Sequence, residues 1–371
     1  MKGTIVILGA TLIAAVIAST ESPSPSSPAK TETAPPNDLQ AYLDSLARED
    51  KLSGVVLVAK DGIPVASKAA GVANKETGAV IDLNTKFNLG SMNKMFTSVA
   101  IAQLAQAGKL SFSDTVGKHL PVYPNKEVAE KVTIHHLLTH TSGMGLYWNA
   151  MFLAQREKLT TVAAHLPLFS GDALSFPPGE KFQYSNAGFM LLGAIIEKIS
   201  GQDYYSYVRD HIYQPAGMTN TGFYEPGKEI PNLAIGYTRM THDGQQLDEV
   251  RDNNGVREVK GGPAGGGYST APDLVKFHQA LFGNKLLDKA HTDLITTGKV
   301  DGLRGSKYGY GFGETSAGGK RSVGHNGGGP GIAANLEMFP EGGYTAVELM
   351  NADPPAMMPI AKAIRERIVA R

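Results

Sequence analysis

The sequence predicts an α+β fold, with an antiparallel sheet built from both chain ends, flanking helices and an inserted, mainly helical region. Two observations carry this prediction. Strand-like apolar segments occur near residues 54–71 and again over 308–351, and short turns join the neighbours within each group. Residues from about 110 to 260 have mainly helical and loop patterns instead. A single sheet that collects strands from both termini accounts for this order.

The N-terminal strands follow a first helix. Residues 38–49 (DLQAYLDSLARE) have an amphipathic pattern, with Asp38 near the cap. Strands are predicted at 54–60 and 64–71, and Asp61-Gly62 between them is a hairpin signal. Further helices are predicted in the middle of the chain, beginning after Ser91 and near 133–139 and 187–200.

The last third of the chain returns to strands and ends in a helix. A helix is predicted after Thr270, which has the spacing of a capping box with Asp273, and Pro272 lies in the first turn. A C-terminal helix is predicted from about Pro355 to Val369. The strands predicted in this part are 308–312, 321–325, 332–340 and 344–351.

The composition excludes several classes of protein. The 371 residues include 35 Lys and Arg, 35 Asp and Glu, and no cysteine. The balanced charge gives no electrostatic reason to expect nucleic acid or an anionic membrane surface as a partner. Without cysteine the chain has no disulfide, no thiolate metal site and no cysteine nucleophile.

The N-terminus has the pattern of an export signal. Lys2 precedes an uncharged run from Gly3 to Ala18, and about 15 apolar residues are short for a membrane-spanning helix. We expect residues 1–18 to be a signal peptide, with an uncleaved membrane anchor as the alternative. The protein is then exported, either periplasmic or secreted. Residues 19–37 are a Ser/Pro-rich linker without core-forming residues.

Residues 38–371 are predicted to form one folded domain. Its α/β part comprises about 38–90 and 300–371, and its helical part comprises about 91–299. The most unusual feature of this domain is a lysine, Lys94, at the start of an almost entirely apolar helix.

Ser91 gives Lys94 a chemical role. The two residues are three apart, so on a helix they lie on the same face about 5.4 Å along the axis. Burial lowers the pKa of a lysine, which can then act as a base, and a serine hydroxyl needs such a base to become a nucleophile. The spacing alone is weak evidence, because Ser27 and Lys30 in the Pro-rich linker have it too. The apolar helix favours Ser91.

A second acid/base group is expected in a Tyr-x-Asn triplet. Three triplets exist, beginning at Tyr123, Tyr147 and Tyr184. The first contains a proline and has the composition of a plain turn. The third follows a Pro-Gly turn and precedes a buried helix, where loop residues can face a cleft. Tyr184 and Asn186 are therefore the preferred pair.

An oxyanion-binding edge is expected where a strand ends in a cationic residue followed by glycine. His325-Asn326-Gly327 combines a preceding strand with the glycine run GGGPG. Glycines there let a substrate approach the backbone closely. His325 is therefore preferred over three other triplets of this form.

These three pieces, in this order, resemble the penicillin-recognising serine hydrolases, which include class C β-lactamases, D-alanyl-D-alanine carboxypeptidases, D-aminopeptidases and related esterases. The resemblance covers about residues 38–370 and implies a β-lactamase-like fold and hydrolysis through an acyl-enzyme, without metal or cofactor. It extends to four longer phrases, HHLLTHTSGM (135–144), FPPGEKFQYSNAGFMLLGAIIE (176–197), AGGGYSTAPDL (264–274) and GHNGGGPG (324–331).

The resemblance also implies roles for individual residues. Ser91 resembles the acylated nucleophile and Lys94 its general base. Tyr184 resembles the relay that protonates the leaving group and later activates water. Asn186 would bind the substrate's amide.

The glycine-rich strand would complete the site. His325 and Gly327 would contact the substrate, and the N–H groups of Gly328 and Ser91 would form the oxyanion hole. Many relatives have lysine in a Lys-Thr-Gly triplet where this chain has His325. Histidine is shorter and mostly neutral at pH 7, so carboxylate attraction should weaken. This substitution resembles the D-aminopeptidase and esterase branches more than efficient β-lactamases.

The expected function is therefore a secreted serine hydrolase that uses Ser91 to cleave a short-chain ester, a D-amino acid peptide or a β-lactam-like substrate. The alternative is a slowly deacylating penicillin-binding, sensing or scaffold protein with little turnover. The expected partner is a small-molecule or peptide substrate.

Two other hydrolase classes are disfavoured. His136 and His140 are four apart, as in a zinc-binding helix, but Leu137 stands where the glutamate of His-Glu-x-x-His would be. The chain has no Gly-x-Ser-x-Gly elbow, which argues against an α/β-hydrolase.

Overall fold

An eight-stranded antiparallel sheet forms the centre of the fold in the computed structural model of this chain. The structure describes residues 39–225, 227–241 and 244–370. The predicted signal peptide, linker and Asp38 cap lie outside these residues. The strands that the structure describes are β1 (Gly54–Lys60), β2 (Ile63–Ala70), β3 (Val72–Asn74), β4 (Ala79–Val80), β5 (Phe87–Asn88), β6 (Tyr237–Met240), β7 (Gln246–Asp252), β8 (Tyr268–Ser269), β9 (Val300–Asp301), β10 (Lys307–Tyr308), β11 (Gly313–Ala317), β12 (Lys320–Gly329), β13 (Ile332–Phe339) and β14 (Tyr344–Met350).

The helices cover both faces of this sheet and fill the middle of the chain. Among the described residues, no helix is both long and apolar enough to cross a membrane. The α-helices are α1 (Leu39–Arg48), α2 (Asn93–Gln106), α3 (Val116–His119), α4 (Lys126–Lys131), α5 (Ile134–Leu138), α6 (Ala150–Gln155), α7 (Val162–His165), α8 (Asn186–Ser200), α9 (Tyr204–Val208), α10 (Gln214–Ala216), α11 (Ala271–Phe282), α12 (Lys289–Thr296) and α13 (Met358–Val369).

The central sheet joins the two chain ends, as predicted. Its strand order is β2-β1-β14-β13-β12-β11-β10-β9, so β1 pairs with β14 near the C-terminus. The turn between β1 and β2 has Asp61 and Gly62 at φ of 52° and 80°, as the hairpin signal requires. The predicted α+β fold with an antiparallel sheet from both termini is confirmed.

Strand β1 is buried on both faces, because a layer of helices covers each side of the sheet. Val55, Leu57 and Ala59 belong to the larger core, which lies between the sheet and the helical region. Val56 and Val58 belong to the smaller core, which contains side chains of α1 and α13. Successive residues of a strand point to opposite faces, so an uninterrupted apolar run fits this position.

Helix α2 lies inside the larger core. Its first ten residues, 93–102, are all buried, which matches the lack of a polar face in the sequence. The helix packs against α8 and carries Lys94 into the interior, where that side chain is 0% exposed. The fold thus encloses the side-chain amine of Lys94 within the protein interior.

Three local predictions need correction. The strand predicted at 308–312 ends at Tyr308, because a turn at Gly311 (φ 71°) redirects the chain. Thr270 caps α11 as predicted, but the Asp273 carboxylate accepts from Asn220 N–H and does not complete the capping box. The region predicted as helical and looped also contains the hairpin β6–β7.

Candidate active site

Ser91 lies in a single 3-10 turn, Gly90–Met92, directly ahead of α2. The turn is tied to the β8 side of the site, because Gly266 N–H donates to the Gly90 carbonyl oxygen at 3.1 Å. Gly90 has φ of 48°, and a Cβ on it would lie 3.0 Å from the backbone nitrogen of Gly328. A glycine is therefore required immediately before Ser91.

Lys94 is buried beside Ser91. Its Nζ lies 3.3 Å from Ser91 Oγ, 2.8 Å from Asn186 Oδ1 and 2.5 Å from the Ala264 carbonyl oxygen. Burial lowers the pKa of Lys94 to about 7, and the charge of Glu258 acts in the opposite direction. A substantial share of the molecules therefore carries a neutral Lys94 amine at neutral pH.

The contacts of Lys94 suit a base that faces Ser91. A neutral amine has two N–H groups and one lone pair. The two shorter contacts, to Asn186 and Ala264, are to oxygens that only accept, so they use the two N–H groups. The lone pair is then left for the Ser91 hydroxyl proton.

Tyr184 is a second neighbour of the Ser91 hydroxyl. Its ring centroid is 4.7 Å from Lys94 Nζ, and its hydroxyl forms a hydrogen bond with Ser91. Burial raises the pKa of Tyr184 above its usual value, while the hydrogen bond to Ser91 acts in the opposite direction. The residue is therefore a neutral phenol near pH 7, which can donate a proton.

Asn186 begins helix α8, so its position is set by the helix cap. Ser185 is the N-cap residue, and its Oγ accepts from Gly188 N–H at 2.9 Å. Asn186 Oδ1 accepts from Lys94, and the residue also lines the cavity beside Ser91. The Nδ2 amide is then the group that could donate to a substrate oxygen.

A chain of hydrogen bonds joins His140 to His325 through Tyr308. Ser185 N–H donates to His140 Nδ1 at 3.0 Å, so the neutral His140 carries its proton on Nε2 and donates to Tyr308 Oη at 3.1 Å. Tyr308 then donates to His325 Nε2 at 3.0 Å. His325 Nδ1–H donates to the Asn326 carbonyl oxygen at 2.5 Å. The direction of every bond is fixed by the first one.

This series of hydrogen bonds leaves His325 neutral, with both ring nitrogens already bonded. Burial, followed by the charge of Lys94, lowers the pKa of His325 to about 3. The ring of His140 packs against Tyr184 with centroids 4.3 Å apart, and its pKa is also lowered by burial. The His325 ring centroid lies 6.4 Å from that of Tyr184, and His325 has no positive charge for a substrate carboxylate.

The end of β12 packs directly against the Ser91 turn. A Cβ on Gly327 would lie 1.8 Å from the Leu89 carbonyl oxygen and 3.0 Å from Ser91 N. Gly328 follows and lines the cavity together with Ser91. The predicted oxyanion donors, Ser91 N–H and Gly328 N–H, thus belong to segments in contact, and both residues line one cavity.

The cavity beside Ser91 has aromatic walls and one carboxylate. The Glu258 Oε1 atom accepts from Tyr147 Oη at 2.6 Å and from Trp148 Nε1 at 3.2 Å. All three residues line the cavity, together with the apolar side chains of Phe152 and Ile332. Glu258 also contributes to the electrostatic environment of Lys94.

The two histidines with zinc-like spacing do not share a helix. His136 lies in α5, but α5 ends at Leu138 and His140 has φ of 59° in the turn beyond it. His136 Nδ1 accepts from Thr133 N–H at 3.2 Å, and both His140 nitrogens have hydrogen-bond partners. No group of three or more His, Asp or Glu within the described residues could hold a metal ion.

Sequence reasoning missed the residues that reach the site from distant segments. Glu258, Tyr308 and His140 approach it from three different loops or short strands. Tyr147 belongs to a Tyr-x-Asn triplet, and His140 lies within the phrase HHLLTHTSGM. Glu258 stands in a charged segment, VREVK, and no local pattern distinguishes it from a surface residue.

Comparison with known proteins gives similarities over most of the chain. The family described as Beta-lactamase matches residues 39–371. Penicillin-binding protein 4* of Bacillus subtilis (strain 168) is 31% identical over 327 residues, which is 85% of this chain and 71% of that protein.

Two solved structures have a similar fold. A penicillin binding protein from Bacillus halodurans has 32% identity and a TM-score of 0.76, covering 87% of this chain and 99% of that chain. A D-stereospecific amidohydrolase from Streptomyces sp. has 27% identity and a TM-score of 0.70, covering 85% and 93%. The similarity therefore concerns the whole domain and not a single motif.

Proposed function

Since the chain belongs to the beta-lactamase family of serine hydrolases, we propose that it is an exported enzyme that cleaves an ester or amide through an acyl-enzyme on Ser91. The observation that carries this proposal is the 3.3 Å contact between Lys94 Nζ and Ser91 Oγ, with the lysine fully buried. Export is supported by the apolar N-terminal run, which lies outside the described residues.

Acylation begins with proton transfer from Ser91 to the neutral amine of Lys94. Ser91 Oγ then attacks the substrate carbonyl carbon, and the N–H groups of Ser91 and Gly328 stabilise the negative oxygen. The neutral Tyr184 phenol donates the proton that the leaving alcohol or amine needs. The Lys94 ammonium then returns a proton to the Tyr184 phenolate, so the net charge of the site is unchanged.

Deacylation repeats these steps with water as the nucleophile. Water loses one proton to the Lys94–Tyr184 pair and attacks the acyl carbon, and the Ser91 oxygen leaves and takes a proton back. The products are a carboxylic acid and the alcohol or amine released earlier. These steps use Lys94, Tyr184 and Ser91 together with one water molecule.

The substrate class is supported by the neutral state of His325. His325 has no free nitrogen and a pKa of about 3, so a substrate carboxylate would lack the cation that a lysine would provide. We propose that uncharged short-chain esters and D-amino acid derivatives are cleaved faster than β-lactams, which carry a carboxylate. A panel of p-nitrophenyl acetate and a chromogenic cephalosporin measures this order, and faster cephalosporin cleavage would contradict it.

The direct experiment is covalent labelling with a fluorophosphonate, followed by intact-mass measurement. The unchanged protein should gain one adduct, and Ser91→Ala should gain none. Ser113→Ala is the matched control, because Ser113 is an exposed serine whose hydroxyl bonds Ser111 Oγ at 2.9 Å. An adduct that persists in Ser91→Ala would exclude Ser91 as the nucleophile.

A second candidate function is favoured by the names of similar proteins. Two of them, from Bacillus subtilis and Bacillus halodurans, are described as penicillin-binding proteins. A chain of that kind could be acylated and deacylate slowly, acting as a binding or scaffold protein. The rate at which a penicillin adduct disappears separates the two, since turnover within minutes indicates an enzyme and persistence for hours indicates a binder.

A further inference from the structure

We propose that the cavity beside Ser91 binds substrates with a positively charged amino group, and that the Glu258 carboxylate recognises this group. The inference rests on the proposed function, because it names the substrate class of the same catalytic site. It selects amino acid amides, esters and short peptides with a free amino terminus over substrates that carry a carboxylate near the cleaved bond.

One oxygen of Glu258 has an unused capacity for a hydrogen bond. Its Oε1 is held by Tyr147 and Trp148, which fixes the carboxylate in the cavity wall. Its Oε2 is shielded from solvent and has no hydrogen-bond partner among the described residues. This oxygen lies 3.5 Å from the position that a Cβ on Gly266 would take, close to the segment that is bonded to Gly90.

A buried carboxylate oxygen without a partner is unfavourable in the free protein. Such a group is best matched by a charged N–H donor, because hydrogen bonds between an ammonium and a carboxylate are shorter and stronger than those between neutral groups. A substrate ammonium would supply this donor. A buried polar atom without a partner can be completed by a water molecule, an ion or a ligand.

The walls around Glu258 also suit a cation. Tyr147, Trp148 and Phe152 line the same cavity, and aromatic rings attract positive charge while excluding water. The low polarity of these walls strengthens the attraction between an ammonium and the carboxylate. Both features would weaken the binding of a substrate carboxylate.

The positive groups near the cavity are already bonded to the chain. Arg257 also lines the cavity, but its guanidinium donates to the carbonyl oxygens of Glu258 and Val259 and to Asn254 Oδ1. Lys94 donates to Asn186 and Ala264. Glu258 is thus the charged side chain of the cavity whose bonding is incomplete.

The test compares alanine p-nitroanilide, with a free amino group, to its N-acetyl and N-succinyl derivatives, each as D and L forms. The measured quantity is the ratio of kcat/KM for the free amine to that for the N-acetyl compound. This ratio cancels any effect of Glu258 on Lys94, because both substrates need the same base. The unchanged protein should favour the free amine, and Glu258→Gln should lower the ratio by about 10- to 100-fold, as expected for one charge-assisted hydrogen bond.

Glu130→Gln is the matched control, because Glu130 is an exposed carboxylate on α4 outside the cavity. This variant should keep the ratio within about twofold. A ratio near one in the unchanged protein, or a ratio unaffected by Glu258→Gln, would overturn the proposal. Preference for the N-succinyl compound would also overturn it and would point to Arg257.

A binding measurement separates this proposal from the proposed function. Calorimetric titration of Ser91→Ala with alanine p-nitroanilide should give binding at least about tenfold tighter than titration with the N-acetyl compound. Amine-dependent binding by Ser91→Ala, together with no hydrolysis of either compound by the unchanged protein, would support the Glu258 site and contradict the hydrolase function. Turnover without amine-dependent binding would do the reverse.

Discussion

Nζ of Lys94 lies 3.3 Å from Oγ of Ser91, at the point where a short 3-10 turn continues into a buried helix. The lysine is fully buried, and its two shorter contacts are to oxygens that only accept hydrogen bonds. This geometry leaves its lone pair for the serine proton. The pKa of about 7 makes that lone pair available at neutral pH.

The protonation of Lys94 predicts how activity depends on pH. Burial lowers its pKa to about 7, so the amine is charged and inactive below that pH and neutral above it. The kcat/KM for p-nitrophenyl acetate, an uncharged ester, should therefore rise with pH through about 7 and then level off. A steady-state pH profile measures this, and a flat profile across neutrality would show that another group is the base.

Replacement of Lys94 by arginine tests the same base. Arginine remains charged at every accessible pH, so it cannot accept the serine proton. Lys94→Arg should lower kcat/KM by about 10²- to 10⁴-fold, the usual contribution of a general base. Lys109→Arg, an exposed substitution just after α2, should leave kcat/KM unchanged. Equal values for both variants would contradict the assignment.

The hydrogen bonds of the Tyr308 hydroxyl predict that this residue affects both stability and kcat. Tyr308→Phe removes the hydroxyl that joins His140 to His325 and leaves two buried nitrogens without partners. The free energy of unfolding should fall by about 1–3 kcal/mol. Because His140 packs against Tyr184, kcat should fall as well, while the pH at which activity appears should stay near 7, the pKa of Lys94.

Tyr310→Phe is the matched control for Tyr308. Tyr310 also bonds a histidine, His135, with Oη 2.9 Å from Nδ1, but the His135 ring packs against His136 and Tyr310 and not against Tyr184. Chemical denaturation and steady-state kinetics are measured on both variants. Tyr310→Phe should lose stability and retain its kcat. If the two variants lost kcat equally, the hydrogen bonds from His140 through Tyr308 to His325 would have only a structural role.

The close packing of Gly327 predicts that even one added methyl group is harmful. A Cβ there would lie 1.8 Å from the Leu89 carbonyl oxygen, so β12 and the Ser91 turn would have to separate. Gly327→Ala should lower the free energy of unfolding by about 1–3 kcal/mol and reduce activity strongly. Thermal unfolding and ester hydrolysis measure the two effects.

Gly313→Ala is the control for this packing. Gly313 lies on the neighbouring strand β11. A Cβ on it would lie 3.6 Å from the Gly324 carbonyl oxygen, which is an ordinary van der Waals contact. The two substitutions make the same chemical change in the same sheet. A similar loss of activity in both would mean that the contact with Leu89 does not shape the site.

Much of the fold could be predicted because its signals are local. The β1–β2 hairpin has a turn pair between two apolar strands, and α2 is apolar on every face. The predicted resemblance to penicillin-recognising serine hydrolases is confirmed by the family match over residues 39–371. The hairpin β6–β7 was missed because β7 (QLDEVRD) is almost wholly exposed and has no apolar alternation.

The site could be predicted only in part, for a physical reason. Ser91 and Lys94 are three residues apart, so their spacing is visible in the sequence. Glu258 is 111 residues from Tyr147, and Tyr308 is 168 residues from His140, so only the fold brings these pairs together. Hydrogen bonds over such separations leave no trace in local periodicity.

The acyl group on Ser91 is the most direct evidence for or against the claim that hydrolysis proceeds through an acyl-enzyme on this serine. The protein is mixed with p-nitrophenyl acetate, quenched in acid during turnover, digested and analysed by tandem mass spectrometry. An acetyl group should be found on Ser91 of the unchanged protein, and its amount should fall as the ester is consumed. Turnover without any acetylated Ser91, or an acetyl group on another residue that disappears at the turnover rate, would contradict the claim.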